Sequence, residues 1–258
     1  MEFQNLILEE KGNIAVLKIN RPKALNALNG AVMMELDKAV DYIDATDSIR
    51  VVILTGEGEK SFVAGADIGE MFKCDAAQGK EWGKMGVKVF RKIEKSKKIF
   101  IAAINGFALG GGCELSMACD IRVASKKAKM GQPEVGLGII PGYSGTQRLP
   151  RLVGLAKAKE LIYTCDIING EEAYRIGLVN YVVEPEELIN KAEEIANKIL
   201  KNSMSAVVRA KESINLGMQM DIDSAIESEA NLFGLCFADA DQKEGMGAFL
   251  EKRKPNFK

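Results

Sequence analysis

An α/β core followed by an all-helical C-terminal region is the fold class this sequence predicts. Three observations carry it. Short apolar runs, several ended by Gly or Asn-Gly, alternate with stretches of helical periodicity through the first part of the chain. After Val183 the strand-like runs stop and successive helical stretches follow, which divides the chain into a core over 1–200 and a helical region over 201–258. With 258 residues, 47% of them hydrophobic and 28% charged, the chain is long enough to bury a sizeable core. It shows no low-complexity tract and no short exact repeat.

The elements follow in order. Gly12 to Asn20 reads as a strand carrying β-branched Ile14, Val16 and Ile19. Asn29 can cap a helix whose apolar residues Val32, Met33, Leu36, Ala39, Val40 and Ile43 recur at helical spacing. Arg50 to Thr55 is a short apolar run closed by Gly56, as a buried strand requires. Gly79 to Lys95 suits a helix with Trp82, Met85, Val89, Phe90 and Ile93 on one side. Ile99 to Ile104 is a second buried strand, ended by Asn105-Gly106, and Gly111 to Ala118 starts a helix straight after a glycine turn. Ile121 to Ala124 is again strand-like. Four helices are then predicted over Pro185–Lys201, Ser203–Leu216, Ile222–Phe237 and Asp241–Lys252. Their apolar residues, among them Ile226, Phe233, Phe249 and Leu250, serve either packing within the chain or a subunit interface.

Composition excludes several function classes. A net charge of −1 gives no electrostatic case for nucleic acid or an anionic membrane as partner. The basic clusters at Lys95–Lys98 and Lys252–Lys254 fit a solvated surface, or a meeting with phosphate. The chain has no histidine, which removes His-dependent triads and His metal sites and leaves carboxylates as the acid–base candidates near neutral pH. Five cysteines at irregular gaps, with no CxxC, read as reduced thiols of a cytoplasmic protein. Cys113 reads as a small buried residue at a helix start. The opening Met1-Glu-Phe-Gln-Asn-Leu lacks the basic, apolar pattern of a targeting signal, and no apolar stretch is long enough to span a bilayer.

Two glutamates in glycine-rich segments carry the chemistry. Glu114 follows Gly110-Gly111-Gly112-Cys113, and Glu134 lies in Gly131-Gln-Pro-Glu-Val-Gly-Leu137. The first segment is not a dinucleotide fingerprint, because Leu115 stands where the third glycine should be. What remains is a tight turn running into a helix, whose free N–H groups can hold a carbonyl oxygen. Glu114 is then either a reactive carboxyl or an ordinary capping one. Glu134 is either desolvated by its apolar and glycine neighbours, with a raised pKa, or a turn residue in solvent. A third segment, Phe62-Val-Ala-Gly-Ala-Asp-Ile68, presents Asp67 as a cap or a functional residue.

Taken together, these segments closely resemble the enoyl-CoA hydratase (crotonase) family. The matching stretches are 20–28, 62–68, 101–115, 119–124, 131–137, 141–149 and 173–180, in that order and over nearly the whole chain. Within the family, the resemblance is strongest to short-chain members that dehydrate 3-hydroxybutyryl-CoA in butyrate- and butanol-forming anaerobic bacteria. It implies a spiral of ββα units and a C-terminal helical region that builds a homo-oligomer, a trimer or a dimer of trimers. It also implies an acyl-CoA thioester substrate, no metal, and no cofactor apart from the CoA that belongs to the substrate. Residue by residue, Glu114 matches the glutamate that positions and deprotonates water, and Glu134 the one that exchanges a proton with the substrate Cα. Ala66 and Gly111 match the two backbone donors of the oxyanion hole. Lys23, Ala24, Leu25, Ala64, Asp67 and Ile68 match stretches that hold CoA, and Gly142 lies in the glycine-rich helix start beside the second glutamate. Phe249 and Lys252 resemble residues that reach CoA from a neighbouring subunit.

The implied reaction is the reversible addition of water to a short trans-2-enoyl-CoA, with the two carboxyls in different protonation roles and hence with separated pKa values. Other reactions known on this fold are an enoyl-CoA isomerisation or an acyl-CoA decarboxylation. Family isomerases often keep only the counterpart of Glu134, so the presence of Glu114 discriminates. An RNA-binding relative would lose a glutamate or gain a basic stripe, and neither is seen. The chain departs from the family at Gly69, often Lys; at Tyr143-Ser144, commonly two small residues, where the added bulk either trims the acyl pocket or faces elsewhere; and at Ile99, often Pro.

Overall fold

The computed structural model describes residues 3–257. Met1 and Glu2, which open the stretch read for a targeting signal, and Lys258 lie outside the described residues. The chain forms two compact units, Met1–Glu193 and Glu194–Lys258.

The first unit opens with β1 (Leu6–Lys11), antiparallel to β2 (Ile14–Ile19), with Leu8 opposite Leu17. Helix α1 (Gly30–Ala45) is capped by Asn29, whose side chain accepts the Val32 N–H, and buries the six apolar residues its periodicity selects. One pattern then occurs three times. A long strand is followed by a three-residue strand in a second sheet, and helical structure follows that. The three turns are β3 (Val51–Gly56), β4 (Ser61–Val63), α2 (Ile68–Met71) and α3 (Ala76–Lys95); β5 (Ile99–Ile104), β6 (Phe107–Leu109) and α4 (Gly111–Ala118); and β7 (Ile121–Ser125), β8 (Lys129–Gly131), a 3-10 turn over Pro133–Leu137 and α5 (Gly145–Val153). Helix α6 (Leu155–Thr164), β9 (Ile168–Asn169), α7 (Gly170–Arg175), β10 (Tyr181–Val183) and α8 (Leu188–Ile199) follow.

The larger sheet has the order β1-β2-β3-β5-β7-β10, parallel from β2 onward. Its central strands, Val-Val-Ile-Leu and Ile-Phe-Ile-Ala-Ala-Ile, are buried throughout, which is why they read as continuous apolar runs rather than alternating ones. The smaller sheet has the order β4-β6-β8-β9, with β4, β6 and β8 mutually parallel and β9 antiparallel to β8. Helix α3 starts three residues before the predicted Gly79, because Asp75 and Gln78 form a capping box.

In the second unit, α9 (Met204–Gly217) and α10 (Ile222–Cys236) pack together, and α11 (Ala240–Leu250) follows. Arg209 pairs with Asp239, and Arg253 with Glu244. Ile222, Ile226, Phe233, Leu235, Phe249 and Leu250 are left exposed. Among the described residues no helix is long and apolar enough to cross a membrane.

Helix α4 lies so close to β4 that a Cβ at Gly112 would fall 1.9 Å from the Val63 carbonyl oxygen. Main chain cannot give way there as a flexible side chain would. Gly112→Ala is therefore expected to destabilise the protein by about 1–3 kcal/mol, the usual range for overpacking. Urea denaturation checks this; an unchanged midpoint would mean that α4 moves freely on the sheet.

Candidate active site

The three short parallel strands β4, β6 and β8 end on one side of their sheet, and each releases a turn there. Ala64-Gly65-Ala66 follows β4, Gly110-Gly111 follows β6, and Gln132-Pro133-Glu134 follows β8. Segments far apart in the chain thus meet at one edge. The Gly110 N–H donates to the Gly131 carbonyl at 2.9 Å and ties two of the turns together. The three turns line a cavity of about 570 Å³.

Gly110 has φ +50° and ψ −121°, a backbone conformation suited to glycine. A Cβ there would also lie 2.7 Å from Glu134 Oε1, so a side chain at 110 would displace the carboxylate. The next residue, Gly111, opens α4, and its N–H has no acceptor within the helix. Across from it, Ala66 bridges to Leu28. That bridge uses the Gly65 carbonyl (2.9 Å) and the Asp67 N–H (2.8 Å), leaving the Ala66 N–H outside it. A Cβ at Gly111 would stand 3.5 Å from the Ala66 nitrogen, so the two amides are neighbours.

Glu114, one turn into α4, is 1% exposed. Its Oε1 accepts the Tyr143 N–H at 2.8 Å and the Gly145 N–H at 2.6 Å. Buried Arg148 supports this turn by donating to the Tyr143 carbonyl at 2.7 Å while pairing with Glu94. Burial pushes the Glu114 pKa up to about 7, the two backbone N–H groups pulling the other way and the Glu134 charge adding to the rise. Glu134, 8% exposed, is likewise raised to about 7 by burial. Gln132 is fully buried; with its amide nitrogen toward Glu134, it donates to the two carboxylate oxygens at 3.1 and 3.2 Å. Burial raises both groups alike, and two carboxyls that interact titrate as a pair. Cys113 beside them is buried, and its thiol is pushed up to about 12, so it stays protonated.

The cavity gathers Glu114, Glu134, Ala64, Ala66, Ile68, Gly111 and Gly142 from the sequence-derived set. The others stand apart from its lining. Lys23 and Ala24 form a 3-10 turn, and Leu25 beyond it accepts the Ala64 N–H at 3.1 Å, coupling that turn to the β4 turn. Asp67 pairs with Arg21 and caps α2 through the Gly69 N–H, so its side chain has a structural partner on each side. Phe249 and Lys252 belong to the second unit, where Phe249 is 83% exposed. Gln132, Gly110 and the main chain of Tyr143 and Gly145 were given no role in the sequence reading. Each lies within a motif quoted there, but Tyr143 and Gly145 meet Glu114 across 29 and 31 residues, which leaves no local signal.

Two buried carboxyls and a pair of unused backbone donors around one cavity define an acid–base site suited to a carbonyl substrate that gains negative charge. The comparisons name the family. The sequence pattern of the enoyl-CoA hydratase/isomerase family matches residues 9–258, and this chain belongs to that family. A crotonyl-CoA hydratase of Syntrophomonas wolfei is 58% identical over 257 residues, covering 100% of this chain and 99% of the other. A short-chain-enoyl-CoA hydratase of Clostridium acetobutylicum is 58% identical over 98% of this chain and 97% of its own. The crystal structure of an enoyl-CoA hydratase from Bacillus anthracis superposes with a TM-score of 0.95 at 42% identity, covering 99% of each chain. The fold is the crotonase fold, as the resemblance implied.

The raised carboxyl pKa values tie stability to pH. Folded Glu114 holds its proton to about pH 7, whereas the unfolded group releases it near 4.5. Its stabilising contribution is therefore complete below pH 4.5 and is lost as pH rises to about 7. That change in pKa is worth about 3 kcal/mol. Glu114→Gln keeps an oxygen for both N–H donors and removes the ionisation. Its stability relative to the parent is expected to rise by up to about 3 kcal/mol between pH 5 and pH 8, read by urea denaturation. A pH-independent difference would show the carboxyl to be solvated.

Proposed function

We propose that this protein is a short-chain enoyl-CoA hydratase, a hydro-lyase that reversibly adds water syn across the double bond of trans-2-enoyl-CoA, with crotonyl-CoA the short-chain case. The observation that carries the reading is the pair of buried glutamates facing one cavity beside the Ala66 and Gly111 N–H groups, which have no acceptor among the described residues. The 58% identical relatives bear names for this same reaction.

A thioester draws electrons from its conjugated double bond, so Cβ accepts an oxygen nucleophile and Cα becomes basic. In the proposed step Glu114, as carboxylate, takes a proton from water while the water oxygen bonds to Cβ. Negative charge moves onto the thioester oxygen, where the Ala66 and Gly111 N–H groups receive it; one such donor is worth about 3–4 kcal/mol. Glu134, as the acid, delivers its proton to Cα. The product gains one hydroxyl and one hydrogen, and the pair of carboxyls has moved one proton from one member to the other. Both groups near pKa 7 suit this exchange, since each can give or take a proton at small cost. The balance calls on no metal or redox cofactor, and CoA enters as part of the substrate.

Ala64, Ile68 and Gly142 line the cavity, and Lys23, Ala24, Leu25 and Asp67 are the further candidates for holding CoA. Exposed apolar residues of the second unit support a homo-oligomer, a trimer or a dimer of trimers, with Phe249 and Lys252 offered to a neighbouring subunit's CoA. All five cysteines are free, which supports a reducing, cytoplasmic location. Net charge −1 supports partners other than nucleic acid or membrane.

The test is the loss of enoyl-thioester absorbance on adding the protein to crotonyl-CoA. Turnover is expected for the parent. Glu114→Gln and Glu134→Gln are each expected to lose about 10²–10⁴-fold in kcat while remaining folded. The kcat/KM profile is expected to be bell-shaped around pH 7, because one carboxyl must be charged and the other protonated. A folded parent without turnover would sink the hydratase reading and direct attention to isomerase and decarboxylase substrates.

A further inference from the structure

The Tyr143 side chain is not used by the chemistry above, yet it is 2% exposed and lines the cavity with Glu114 and Glu134. Its ring stands between two helices at the places where both carry glycine. On α3, a Cβ at Gly86 would fall 2.0 Å from Tyr143 Cδ1; on α4, a Cβ at Gly111 would lie 3.3 Å from Cδ2. Phe90 meets the ring edge-on, with centroids 5.4 Å apart. One turn earlier on α3, a Cβ at Gly83 would lie 3.4 Å from the Gly142 carbonyl oxygen, so main chain closes the cavity beside the ring. Here the wall between α3 and the 142–143 turn is tight backbone and one large aromatic side chain.

Position along the substrate follows from the main chain. The Tyr143 N–H holds the Glu114 carboxyl, the group assigned to the water that attacks Cβ. The ring flanks Gly111, a donor assigned to the thioester oxygen. A side chain fixed at both points is held along the stretch of cavity where the acyl chain of such a substrate would lie.

The hydroxyl adds a polar feature. The Tyr143 hydroxyl and Trp82 Nε1 are both buried, and burial raises the Tyr143 pKa against an opposing hydrogen-bond interaction with Trp82. The hydroxyl is shut off from water without any ligand, so ring volume is what acts against extended acyl chains.

We infer that Tyr143 is the specificity-determining residue for acyl length, its ring closing the pocket a few carbons beyond the reacting double bond so that short enoyl-CoA thioesters are preferred. This rests on the hydratase reading above. It assigns Tyr143 two separable tasks: its N–H serves catalysis for any side chain at this position, while its ring selects the substrate.

The experiment measures kcat/KM for trans-2-enoyl-CoA thioesters of four, six, eight and ten carbons with the parent, Tyr143→Ala and Tyr143→Phe. The parent is expected to fall steeply with length. Tyr143→Ala is expected to raise the ten-to-four-carbon ratio of kcat/KM at least tenfold. Tyr143→Phe keeps the ring and is expected to retain the parent's steep fall with length. A loss common to all lengths in Tyr143→Ala would reveal a merely structural role and overturn the inference. So would an unchanged ratio, or a release by Tyr143→Phe equal to that of Tyr143→Ala, which would place the limit in the hydroxyl. If the Ala variant fails to fold, Tyr143→Leu supplies the same ratio with more of the volume kept. A parent inactive on every length fails the hydratase reading itself, an outcome distinct from these.

Discussion

Parallel pairing of three very short strands is the constraint on which the site depends. Strands β4, β6 and β8 contribute only three residues each, but their ladder fixes where three distant turns emerge. Parallel strands end on the same side of a sheet, so the Ala66, Gly111 and Glu134 turns have to converge. The longer sheet supplies the stability for this arrangement. Its strands β3, β5 and β7 are long, apolar and deeply buried, and each hands the chain to one short strand. The stable layer and the functional layer are thus two sheets built from the same repeat.

Burial then sets the electrostatics. A carboxyl in water would be a plain anion at neutral pH. Enclosed by α4, α5 and the glycine turns, Glu114 and Glu134 are both brought to about 7. The opposing influences are identifiable: the Gly145 and Tyr143 backbone N–H groups on Glu114, and a backbone N–H of its own segment on Glu134.

Main chain does much of the positioning. Donors at Ala66, Gly111, Tyr143 and Gly145 are all backbone N–H groups, and their placement depends on turns rather than on side-chain chemistry. This explains the density of glycine around the site, where backbone must approach carboxylate or backbone without an intervening Cβ. The buried Arg148–Glu94 pair braces the same turn from behind, where Arg148 holds the Tyr143 carbonyl.

The sequence by itself determined the α/β alternation, the capped helix at Asn29, the two central buried strands and the helical C-terminal region. Each of these signals is local: a periodicity, a cap or an apolar run. Motif resemblance further singled out Glu114, Glu134, Ala66 and Gly111, and the structure brings all four to one cavity. Strands β4, β6 and β8 left no such signal, since three residues are too few to show a period. Only the tertiary structure decided that Tyr143 and Gly145 hold Glu114, that Gln132 faces Glu134, that Asp67 serves Arg21 and a helix cap, and that both carboxyls are raised alike. These outcomes depend on distance and burial between residues remote in the chain, and a linear pattern records neither.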